Sequence, residues 1–132
     1  MKVPLALLAD YANKSSEGKL NIMGAFSIIW TQSFPVIHPA MSLVFRIEAG
    51  NVEAERDHEV EIRLVDEEGK PLFSLKATFV FKQGAPGEAQ QMDQIVWINN
   101  AVFPREGRYA FHILIDNRED AAVSLRVVKR PS

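Results

Sequence analysis

The sequence predicts an all-β fold, a single domain over residues 1–132 built as a two-sheet antiparallel sandwich of about eight strands. Three observations carry this. Apolar and polar side chains alternate with a period of two through much of the chain, most cleanly in Glu59-Val60-Glu61-Ile62-Arg63-Leu64-Val65. Polar turns, most of them bearing glycine, recur at roughly ten-residue spacing. No window shows helical apolar periodicity long enough for a crossover helix between parallel strands.

Leu5 to Ala12 is the first strand, with Leu5, Leu7, Ala9 and Tyr11 on one side and Ala6, Leu8 and Asp10 on the other. The polar stretch Asn13 to Lys19, with Gly18, reads as a hairpin loop. Leu20 to Trp30 returns as a second strand, and Gly24 inside it marks a bulge or a close backbone approach. Pro35 and Pro39 make Ser33 to Pro39 a connection that crosses between sheets. Ser42 to Ala49 then turns Leu43, Phe45 and Ile47 inward and Arg46 and Glu48 outward. Glu59 to Val65 and the strand after Pro71 form a hairpin about Asp66-Glu67-Glu68-Gly69-Lys70. Phe73, Leu75, Ala77, Phe79 and Phe81 share one face of its second arm. Lys82 to Gln91, with Gly84, Pro86 and Gly87, is a loop. Met92 to Val102 is a largely buried strand around Ile95, Val96, Trp97 and Ile98, and Arg108 to Asp116 and Ala121 to Val128 close the domain.

Composition restricts the partners. Formal net charge is -2 with a pI near 5.9, so the chain lacks the basic surplus that drives binding to nucleic acid or anionic membrane, and both are set aside as partners. The chain has no cysteine, which removes disulfides, thiolate nucleophiles and cysteine-held metals and fits a reducing cytoplasm. Met1-Lys2 followed by Val3 to Ala9 imitates a short export signal, but Pro4 interrupts the apolar run and Asp10 ends it; export is the minority reading. No apolar stretch reaches the roughly 20 residues of a membrane helix.

Glu106-Gly107-Arg108-Tyr109-Ala110-Phe111 resembles the start of the F strand in immunoglobulin-like and fibronectin-like sandwiches. There a corner tyrosine bonds back to nearby backbone, so the resemblance gives Tyr109 and Gly107 structural roles within an immunoglobulin-like or related Greek-key topology. Leu5 to Phe26, together with Phe103-Pro104 and Tyr109 to Ile113, looks like an uncharacterised bacterial family of small β-sandwich proteins. That likeness implies fold and bacterial origin. It supplies no activity, cofactor or catalytic residue.

His38, His58 and His112 show none of the short spacings of compact metal motifs, and they read as surface or locally bonded residues. The carboxylates of Asp66, Glu67 and Glu68, and of Asp116, Glu119 and Asp120, read as solvated turn residues rather than calcium ligands. A nucleophile elbow, a phosphate loop, a dinucleotide fingerprint and a His-Glu-x-x-His helix are all missing from the sequence. The reading is therefore a non-enzymatic module without cofactor that binds a protein partner or itself. One alternative is a carbohydrate or small-ligand module using Trp30 and His38, with Trp30 at a strand end and Trp97 buried. The other is a hydrolase using a dispersed histidine and carboxylate.

Overall fold

The computed structural model describes residues 1–82 and 87–131. The described residues form nine strands: β1 (Lys2–Lys14), β2 (Leu20–Phe26), β3 (Ile28–Thr31), β4 (Val36–Ala49), β5 (Asp57–Asp66), β6 (Pro71–Val80), β7 (Gln90–Phe103), β8 (Gly107–Ile115) and β9 (Arg118–Lys129). A single 3-10 turn, Asn51–Glu53, is the one helical element among the described residues, and no helix is long and apolar enough to cross a membrane. The loop expected at Lys82 to Gln91 lies partly outside the described residues, which omit 83–86.

The strands divide into a four-stranded sheet, order β2-β1-β4-β7, and a five-stranded sheet, order β3-β9-β8-β5-β6. We call them sheets A and B. Their inner faces meet in one core: Leu8, Leu43, Phe45 and Ile47 from sheet A pack with Ile62, Leu64, Phe111, Ile113, Leu125 and Val127 from sheet B. The alternation read from the sequence selects these residues. Leu43, Phe45 and Ile47 fall on the buried side of β4 as expected.

Two strand assignments change. The expected strand Leu20 to Trp30 is cut at Ser27, and its second half, β3, leaves sheet A to pair parallel with β9 in sheet B. The carbonyl of Ser27 accepts from the Arg126 amide at the crossing, so the chain stays hydrogen-bonded while it changes layers. This division makes nine strands of the expected eight, and the β3–β9 pair is not antiparallel.

The proline segment is shorter than expected, because β4 begins at Val36 and includes His38 and Pro39. β1 pairs with β4 only along the later part of that strand, up to Ala9 opposite Ser42. Residues 36–41 of β4 therefore pair only with β7, where a proline is tolerated on the unpaired side. The crossing itself stands, since β3 belongs to sheet B and β4 to sheet A.

Gly24 shows why glycine is needed there. Its φ is +71°, and a Cβ would lie 2.5 Å from Asp10 Oδ2.

Candidate functional site

The two sheets do not close evenly. β6 and β7 are the edge strands on one side of the sandwich, and a groove of about 650 Å³ runs between them. Leu72, Phe73 and Leu75 of β6 form one wall; Trp97 to Val102 of β7, with Pro104, form the other. Among the described residues, no charged one lines it. Leu75 is paired with buried Ile62 and shares its inward face, yet it is 43% exposed because no strand of sheet A covers that end of the layer.

Above β7 the groove meets the outward face of sheet A, which is also apolar. The register aligns Leu7, Val44 and Ile95 in one cross-strand row and Ala25, Ala9, Ser42 and Trp97 in the next. Tyr11 reaches Trp97 across this second row, with ring centroids 5.2 Å apart and planes tilted by 49°. Ser42, in the same row, is fully buried and its hydroxyl has no hydrogen-bond partner among the described residues. The charges in the rows toward the far end are Arg46, Asp93, Glu48 and Lys2, which lies opposite Glu48. Arg46 and Asp93 bind each other through two contacts, the shorter 2.7 Å.

Trp97 corrects the sequence reading: it is 48% exposed, not buried. Its neighbours Val96 and Ile98 alternate inward, so a period of two sends Trp97 to the other face of an edge strand, and that signal was present in the sequence. Trp30 is exposed as expected, on the outward side of β3 beside Arg130 and Pro131. His38 sits in β4 rather than in a loop. Its ring lies 6.0 Å from that of Phe26, and its Nε2 is buried without a partner among the described residues. Burial lowers the His38 pKa from its usual value, and the Asp10 carboxylate offsets part of the drop. Trp30 and His38 lie in different sheets, so they do not form a shared site.

The other histidines each meet a carboxylate. His58 is buried, stacked on Phe79, with Nδ1 2.7 Å from Asp116 Oδ2 and Nε2 2.6 Å from the Glu53 carbonyl. Both ring nitrogens are thus occupied by oxygen acceptors, which leaves no nitrogen for proton transfer to a substrate. Burial pushes the Asp116 pKa up, but the bonds from His58 and the Glu59 amide outweigh it and hold the carboxyl below its usual value. His112 Nδ1 contacts Glu119 Oε1 on the outward face of sheet B.

The turn carboxylates are also engaged separately. Asp66 Oδ1 accepts from the Glu68 and Lys70 amides and Oδ2 from Arg105, while Asp120 pairs with Arg118.

Tyr109 is buried, and its hydroxyl donates to the Arg105 carbonyl at 2.6 Å. Its ring stands edge-on to Phe103 of sheet A at 5.0 Å, so one side chain ties a loop to its strand and one sheet to the other. Gly107 precedes it at φ +156°, with Glu67 Oε1 2.8 Å from the place a Cβ would take.

Among curated proteins, no relative matches the chain. Among protein families, residues 4–128 match a family of unknown function, DUF6941. That match covers nearly the whole described fold, from β1 to the end of β9. The chain is a member of the DUF6941 family.

Proposed function

We propose that the protein is a non-enzymatic binding module of the bacterial cytoplasm that holds a protein partner in the groove between β6 and β7. The observation that carries this reading is an uncharged, apolar groove of about 650 Å³ at an open side of the core, within the size range of binding sites. Its wall residues Trp97 and Val102 are exposed, and Tyr11 beside Trp97 extends the apolar surface beyond what a monomer's core requires. The lack of catalytic sequence signatures and the occupied nitrogens of His58 favour binding over chemistry.

We read the topology as immunoglobulin-like. Two facing sheets, in the orders β2-β1-β4-β7 and β3-β9-β8-β5-β6, and the Tyr109–Arg105 bond support it.

A photo-crosslinking residue at position 75, in cells, tests the binding reading. A discrete adduct is expected there and none from the same residue at position 124 on sheet B; no adduct from position 75 would remove the reading.

A second reading rests on the Tyr11–Trp97 pair, which offers aromatic faces to a sugar ring. The 49° tilt lets one ring at a time lie flat beneath a ligand. A glycan array, with Trp97→Ala as control, separates the two readings.

A further inference from the structure

We propose that the groove takes one extended strand from a partner protein, paired through its backbone to the free edge of β7 as an added strand of sheet A. This rests on the groove reading above and names the shape and chemistry of its occupant.

β7 runs from Gln90 to Phe103, fourteen residues, and among the described residues it pairs with β4 alone. Half of its amide and carbonyl groups therefore face away from β4 with no strand to receive them. The other sheet edges are protected. β6 carries Pro71 and Lys76, β3 is four residues long and β2 seven, whereas β7 offers the regular run Gln90 to Asn99 before Asn100 turns to φ +57°. The single charge on β7, Asp93, is bound to Arg46 and so does not guard the edge.

The facing layer points the same way. Leu75 looks inward from β6 and stays exposed, because sheet A stops one position short of covering it. A strand added at β7 would sit over Leu75 and Phe73 while its backbone satisfied the open row. A helix or a folded surface would fill the apolar groove and leave that row to water. The uncharged lining sets the occupant's character: apolar side chains at alternate positions, turned into the groove.

The test uses the full chain and a synthetic probe, a peptide of alternating valine and threonine with terminal lysines for solubility. Two isomers carry N-methyl groups on alternate backbone amides, one on each edge of the strand. The unmodified peptide is expected to slow amide exchange across residues 90–103. One N-methyl isomer should bind like the parent and the other about tenfold or more weakly, because only one edge faces β7. Leu75→Glu, at an exposed position, should weaken the parent peptide by about tenfold.

If both N-methyl isomers bind as tightly as the parent, strand pairing is wrong and the groove reading stands. If the peptide neither binds nor protects β7, and Leu75→Glu leaves every signal unchanged, both readings fail together. If β7 is protected without peptide in a concentration-dependent dimer, the occupant is a second copy and the partner strand is wrong.

Discussion

The outward faces of the two sheets are built from the same alternating pattern and differ in what the alternate positions carry. On sheet A the outward positions include Leu5, Leu7, Ala9, Tyr11, Val44, Ile95 and Trp97, with charges toward one end: Lys2 opposite Glu48, and the bonded pair Arg46 and Asp93. On sheet B they carry Glu59, Glu61, Arg63, Lys76, Arg108, His112 and Arg126, interspersed with Val65, Ala110, Leu114 and Trp30. Arg63 binds Glu61 at 2.7 Å and holds its carboxyl pKa below the usual value, so the charges of the second face are paired within the face. A sheet needs one apolar face to fold, and sheet A has two; under the binding proposal the second is the surface that a partner covers.

The sharpest way to break this comparison is to place the same charge at the centre of each face. Val44 is 0% exposed although it points away from the core, because Leu7 and Ile95 flank it in its row. Val44→Glu is expected to cost about 3 kcal/mol of stability in urea denaturation, through an unpaired carboxylate under apolar neighbours. Ser124→Glu, exposed on sheet B, should stay within about 0.5 kcal/mol. Equal costs would mean that the two faces are alike.

The two inward histidines sharpen it next. His58 in sheet B is satisfied at both nitrogens, so His58→Leu leaves Asp116 and the Glu53 carbonyl without their partner and should destabilise by about 2 kcal/mol. His38 in sheet A has a buried nitrogen with no partner, so His38→Leu should stabilise by about 1 kcal/mol.

The pH dependence of His38 carries a definite sign. Its folded-state pKa is lowered, so below the unfolded value of 6.5 the unfolded chain takes up the proton first. The wild type should lose stability as pH falls from 6.5, and His38→Leu should not lose that part. Denaturation midpoints at pH 7 and pH 5 read the difference, and parallel curves for the two proteins would refute it.

The smallest expected effect lies where the sheets are joined. Tyr109→Phe keeps the ring against Phe103 and loses the bond to the Arg105 carbonyl, for a cost of about 1 kcal/mol. Peptide binding at the groove should be unchanged, since Tyr109 does not line it. A loss of binding in this variant would mean that the corner shapes the groove.

Much of the fold was legible from alternation and turn chemistry, because both are local. Leu43, Phe45 and Ile47 declared the inner side of β4, Gly24 declared a tight place, and Tyr109 declared a buried corner. The site was less legible. Trp97 stood among aliphatic residues and read as core, although the period of two already put it opposite Val96 and Ile98. The partners of His58 lie at positions 53 and 116, and no spacing in the chain announces the second of these.

By itself the sequence determined that the chain is pleated into strands, where most of them turn and which side of each is greasy, since these follow from backbone sterics and from side-chain order along a ribbon. Only the tertiary structure decided which strands became edges, that Ser27 divides one strand between two layers, and that sheet A ends before it covers Leu75. Strand order depends on contacts between residues far apart in the chain. An open edge is a property of the neighbour that is missing, which no local pattern encodes.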